Sequence, residues 1–125
     1  MTPVNAESAP RAAGGYSQAV DVADARRLLF ISGQIPESSA GELPKEFPQQ
    51  ARQAWRNVLA QLAAADMTVA NLAKVTIFLS SREYAMASRE VRQEFLGSHA
   101  PAMTVVIAGI FDSKWLLEIE AVAAG

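Results

Sequence analysis

No cysteine occurs in the 125 residues, histidine occurs once, and no apolar stretch approaches bilayer-spanning length. The missing thiols exclude disulfides, zinc–thiolate centres and cysteine nucleophiles. With a single imidazole, His99, and carboxylates at no ligand-like spacing, we expect no metal and no cofactor. A membrane span needs roughly 20 predominantly apolar residues, so no membrane partner is expected. Runs of one charge are lacking too. Lys and Arg number 11 against 13 acidic residues, for a net charge of −2, with both signs mixed along the chain. Nucleic-acid binding therefore has little electrostatic support. Met1-Thr2-Pro3-Val4-Asn5-Ala6-Glu7 has neither the basic region nor the apolar run of a signal peptide. These absences lead us to expect a soluble, cytoplasmic protein.

Apolar residues make up 50% of the chain, enough for a core, and the length is that of one domain. We read a single domain over 1–125, with the polar residues 1–12 as a loose N-terminal arm. A domain this short buries only about two-thirds of its unfolded surface, which favours oligomerisation.

Tyr16 to Val22 and Leu28 to Ser32 read as short strands, joined into a hairpin by Asp24-Ala25-Arg26. The apolar run Leu28-Leu29-Phe30-Ile31 suits a strand covered on both faces. Residues 36–48 hold three of the six prolines and read as an exposed loop. Pro48 then suits the first turn of a helix, and Ala51, Ala54, Trp55, Val58, Leu59 and Leu62 recur with helical period. Alternation and β-branching predict a strand over Ala73–Leu79. Ser81 ahead of Glu83 signals a second helix start. That helix should run to about Leu96, with Tyr84, Ala87, Val91 and Phe95 on its buried stripe and Gly97 just past its end. Thr104–Ala108 and Trp115–Ala123 read as the last strands. The order ββαβαββ predicts an α+β domain, a mixed sheet with both helices on one face. No third helix exists to cover the other face, so a partner subunit is the expected cover.

Few residues carry chemistry. His99, alone in a polar loop, reads first as a solvated side chain. Glu118 and Glu120 share one strand face. They read either as a solvated pair or, given Leu116 and Val122 beside them, as carboxylates able to shuttle protons. Tyr16 either flanks a turn or offers its hydroxyl to a cleft. Ser32 has no base placed to activate it and reads as a strand-ending hydrogen-bonder.

Seven segments, in order, resemble the RidA/YjgF family, also called the L-PSP endoribonuclease family. They are Ala9-Pro10, Gly14-Gly15-Tyr16-Ser17-Gln18-Ala19-Val20, Phe30-Ile31-Ser32-Gly33-Gln34-Ile35-Pro36, Gln50-Ala51-Arg52-Gln53…Asn57, Val75-Thr76-Ile77-Phe78-Leu79, Phe95…Pro101-Ala102 and Glu118-Ile119-Glu120-Ala121. The resemblance spans residues 9–123. It implies a chorismate-mutase-like fold, a homotrimer with clefts between subunits, and a small-molecule ligand. It also implies hydrolysis of enamine or imine intermediates to a carbonyl product and ammonia. By the same resemblance Glu118 and Tyr16 are the catalytic residues, and Ser32, Gly33, Ser88 and Met103 line the substrate site.

Three of these positions depart from the family pattern. Met103 stands where the family has an arginine that grips the substrate carboxylate, a task suited to guanidinium. Ser88 replaces a frequent asparagine, and Gly15 a usual proline. No arginine follows Arg92 in the chain, which leaves Lys74 and Lys114 as the nearest cations in sequence to stand in. Two readings follow. One is an imine deaminase whose substrate lacks a carboxylate or holds it elsewhere, for which Met103→Arg should raise activity on 2-iminopropanoate. The alternative is a non-catalytic trimer that binds a small molecule or a regulatory partner. Ribonuclease action is disfavoured by the acidic balance and the lack of paired histidines.

Overall fold

The computed structural model describes all of residues 1–125. The helical stripe read from the sequence forms α1, Phe47–Ala64, with proline in its first turn. Ala51, Ala54, Trp55, Val58 and Leu62 on one side of it are buried. The helix stops without glycine because Asp66 adopts the left-handed conformation, φ 57°. The Asp66 and Met67 amides then donate back to the carbonyls of Ala63 and Leu62, as at a glycine-ended helix. α2, Ala85–Leu96, is entered through a 3₁₀ turn, Arg82–Tyr84, capped by the Ser81 side chain.

Four strands build the main sheet: β3 (Leu28–Gln34), β4 (Leu72–Leu79), β5 (Ala102–Ile107) and β6 (Leu117–Ala124), in the order β3-β6-β4-β5. The β4–β5 pair is parallel and crosses over through α2, whereas β6 runs antiparallel to both β3 and β4. The sheet is therefore mixed. Val75, Ile77, Leu79, Leu117, Ile119 and Ala121 point to the two helices and share their core. Strand alternation sends Thr76, Phe78, Glu118 and Glu120 to the opposite face, where no helix lies. Leu28 and Phe30, expected to be covered on both faces, are 59% and 74% exposed.

The N-terminal hairpin forms differently from the expectation. β1 (Thr2–Val4), within the stretch read as a loose arm, pairs with β2 (Ala19–Asp21) in a separate two-stranded ribbon. The turn at Asp24 forms, φ 57°, but β2 does not pair with β3. β3 takes β6 as its partner, a longer strand with a complementary buried face.

Side-chain amides hold the loops around this frame. Buried Gln50 donates to the Pro44 and Lys114 carbonyls and accepts from the Leu116 amide. Asn57 donates to the carbonyls of Ile35 and Glu37. The polar letters of the Gln50…Asn57 segment thus fix the long loop after β3 instead of lying on a solvated face. No helix is long and apolar enough to cross a membrane.

Candidate functional site

At the β5 edge the loop ahead of β2 is stitched to the start of β5. Ser17 donates its hydroxyl to the Ala100 carbonyl at 2.6 Å and its amide to the Pro101 carbonyl at 3.0 Å. This brings Tyr16 against the N-terminal end of β5. Gly14 (φ 112°) and Gly15 (φ 76°) turn the chain in the left-handed region, which side chains rarely adopt. Proline, locked near −65°, cannot occupy position 15 here. A Cβ on Gly14 would lie 3.0 Å from Arg89 Nη2, and one on Gly15 would lie 2.5 Å from Gln93 Oε1 and 3.2 Å from Arg92 Nη2. The two glycines let this loop lie flat on α2.

Arg92 is the centre of this edge. Ser88, Val91 and Arg92 are buried on α2, and Tyr84, Ala87 and Phe95 of the expected stripe are partly buried against the same core, so the covered face is wider than the expected one. The reason is the glycine loop and β5, which cover α2 on the side that the apolar letters alone do not mark. Arg92 Nη1 donates to Met103 Sδ at 3.2 Å, and Nη2 donates to the Gly14 carbonyl at 3.0 Å. Nε is buried without a partner. The guanidinium carbon lies 5.9 Å from the centre of the Tyr16 ring, a cation–π distance. Burial, and then the charge of Arg89, pull the Arg92 guanidinium below its ordinary value. The Tyr16 hydroxyl accepts from the Ala13 amide at 3.2 Å, which leaves its own proton free to donate. Tyr16, Ser88, Arg89, Arg92 and Val105 line a groove of about 260 Å³.

The other expected site residues lie elsewhere. Glu118 on β6 projects from the helix-free face, beside Gly33 of β3. A Cβ on Gly33 would fall on the Glu118 carboxylate, so glycine is what gives that side chain its place. A register shift separates Ile31 from Gln34 and puts the exposed Ser32 at the outer margin. Within one chain, then, Tyr16, Ser88 and Met103 gather at the β5 edge, whereas Ser32 and Gly33 lie on the β3 edge and Glu118 beside them on the inner strand β6. β3 lies three strand spacings from β5, about 14 Å, and β6 two, about 10 Å.

The substitute cations expected from sequence are misplaced. Lys74 follows the alternation to the face away from Met103 and donates to Thr104 Oγ1 at 2.6 Å. Lys114 sits in the exposed connection before β6. The cation that does meet Met103 is Arg92, eleven residues earlier. Sequence reasoning assigned it no role, although its place one turn past Ser88 and next to the stripe residue Val91 was a signal of burial. His99 is half-buried, and its Nε2 lies 2.7 Å from the Leu72 carbonyl. A carbonyl can only accept, so that nitrogen carries the proton and the imidazole is a structural tie.

The model of the family described as Endoribonuclease L-PSP matches residues 6–125. A RutC family protein of Pyrococcus horikoshii is 37% identical over 119 residues, covering 94% of this chain and 92% of that one. TdcF of Escherichia coli, provisionally named a reactive intermediate deaminase, is 33% identical over 124 residues, covering 96% and 94%. The crystal structure of E. coli TdcF with bound serine superposes with a TM-score of 0.74 at 32% identity, covering 100% of this chain and 99% of that one. Those structures share the α+β, chorismate-mutase-like arrangement of two helices on a mixed sheet. The chain belongs to the RidA/YjgF family, the family of the L-PSP endoribonucleases.

Proposed function

We propose that this protein hydrolyses an enamine or imine intermediate to a carbonyl product and ammonia, in a cleft between two copies of the chain. The observation that carries the proposal is the separation of the residues that the resemblance assigns to the site, between the β5 edge and the β3–β6 side of one sheet. Glu118 points from the helix-free face and Met103 packs against the helix-side core, so the two groups do not meet within a chain. A head-to-tail contact that sets the β3 edge of one copy against the β5 edge of the next joins them, and such a contact makes a ring where its rotation closes. The exposed Leu28 and Phe30 on the helix-free face also call for a cover. We take the ring to be a trimer, as in the family resemblance.

In this reading Glu118 takes a proton from water, whose oxygen attacks the imine carbon. That proton passes to nitrogen to give a carbinolamine; its hydroxyl proton then moves to the amine through Glu118 as the carbonyl forms, the carbon–nitrogen bond breaks, and ammonia leaves. Tyr16 offers a hydrogen bond to the substrate from the facing subunit, Ser32 and Gly33 line the Glu118 side, and Ser88 and Met103 line the other. RNA cleavage has no support from the side chains, since the only imidazole is engaged with Leu72. The test is ammonia release from imines generated in situ from several amino acids. Wild-type protein should accelerate release and Glu118→Gln should abolish the acceleration. If the wild-type protein leaves every imine at its buffer rate, the alternative stands: a trimeric binding or regulatory protein that has kept the cleft without the chemistry, a reading that the thioether at position 103 favours.

A further inference from the structure

A guanidinium has five N–H donors and no acceptor. In Arg92 two of them are engaged, one of these by a thioether, which is a weak acceptor, and Nε has no partner. Burying a charge is costly unless it is paired. Yet no carboxylate answers Arg92: the single ion pair of the chain joins Arg52 to Glu94, on another part of the surface. Its charged neighbour in the groove is Arg89, of like sign, whose Nη2 is spent on the Ala13 carbonyl at 2.7 Å. Two cations therefore stand in one groove without an anion. The three departures from the family pattern also meet here. Met103 supplies the sulfur, Gly15 makes room for the guanidinium beneath the loop, and Ser88, one turn before Arg92, lines the same groove.

We propose that Arg92, with Arg89 beside it, binds the carboxylate of a small 2-oxo or 2-imino acid in this groove. The proposal rests on the imine-hydrolase reading for the identity of the substrate, but not for the binding itself. Met103 holds the guanidinium at the head of the groove, where an entering carboxylate, a far better acceptor than sulfur, takes over the N–H groups. Carboxylate matches the planar fork of guanidinium side-on, and the groove has room for a molecule of a few heavy atoms. The charge missing from β5 thus comes from α2. This also revises the expectation for Met103→Arg, which would set a second guanidinium against the first.

The probe is 2-oxobutanoate, with its methyl ester as the uncharged control. Binding is followed through the ¹H–¹⁵N signal of the Arg92 Nε–H, assigned by its loss in Arg92→Lys, and by calorimetry. Saturation of wild-type protein should shift that signal, and the ester should not bind. Arg92→Gln should weaken binding about thirtyfold or more, and Arg92→Lys, which keeps the charge without the fork, should lose less. Inorganic phosphate is titrated in parallel: binding as tight as that of the 2-oxo acid would mark a general anion site and overturn the carboxylate assignment. An unmoved Nε–H signal, or an ester that binds as well as the acid, also overturns it, and both readouts use wild-type protein if Arg92→Gln does not fold. The two proposals can fail separately. Ammonia release that depends on Glu118, with KM for carboxylate-bearing imines unchanged in Arg92→Lys, keeps the hydrolase and removes the anchor. Arg92-dependent binding without any ammonia release keeps the anchor and removes the hydrolase.

Discussion

The β5 edge of the sheet and its β3–β6 side each carry half of the candidate site, and they are built in opposite ways. At the β3 edge, Gly33 sits in ordinary extended backbone and matters only because the flexible Glu118 side chain lies across it. At the β5 edge, Gly14 and Gly15 hold left-handed backbone over two arginines, and Ser17 sews that loop to β5. One edge is open and adjustable, the other strained and locked. The contrast suits the roles proposed for them. A carboxylate that handles protons can move with its load, whereas a guanidinium that orients a substrate must stay put.

The contrast can be broken most strongly at position 103. Met103→Arg should destabilise the protein by about 2–3 kcal/mol in chemical denaturation, since the new cation meets Arg92 in a half-buried site. Adding Arg92→Gln should return much of that loss, and additive effects would show that the two side chains do not meet. The same substitution at two glycines comes next. Gly15→Ala should cost about 1–3 kcal/mol, because its Cβ meets Gln93 and its φ is left-handed. Ser17→Ala, which removes the 2.6 Å bond to Ala100, should cost about 1 kcal/mol. Gly33→Ala should cost less than about 1 kcal/mol, because the Glu118 side chain can swing aside, yet it should lower ammonia release severely by displacing that carboxylate. Equal thermal shifts for Gly15→Ala and Gly33→Ala would remove the distinction between the edges.

The smallest effect lies away from both edges and serves as a baseline. The hydrogen bond from Arg52, with its charge, holds the Glu94 carboxyl below its ordinary value. A depressed carboxyl contributes stability above its unfolded value and loses it as pH falls through its folded one. Thermal melts of Glu94→Gln should therefore match wild type at strongly acidic pH and fall slightly below it near neutrality. The pair is exposed, so the difference is small.

Much of the fold could be read in the letters. The 3.6-residue stripe from Ala51 to Leu62 and the alternation of Val75, Ile77 and Leu79 are local records of burial, and both elements form where they predict. Glu118 and Gly33 are neighbours because β3 and β6 pair; the strand letters marked Glu118 as one of two candidate proton carriers, and only resemblance to the family named Gly33. The pairing of β2 with β1 was not legible, because a short strand's letters do not specify its partner. Arg92 was missed for a related reason. An arginine beside Glu90 and Glu94 on a helix reads as solvated, and nothing in its local pattern reports that a glycine loop 77 residues away will cover it.

By itself the sequence determined the two helices and the strands of the main sheet, the absence of thiol chemistry and the family, because these depend on composition, on period and on motifs read along the chain. Only the tertiary structure decided that the candidate site residues part between the β5 edge and the β3–β6 side of one sheet. It alone set Arg92, the last arginine of the chain, against Met103. Which side chains meet is fixed by strand order and helix packing, and those contacts join residues that no local pattern connects.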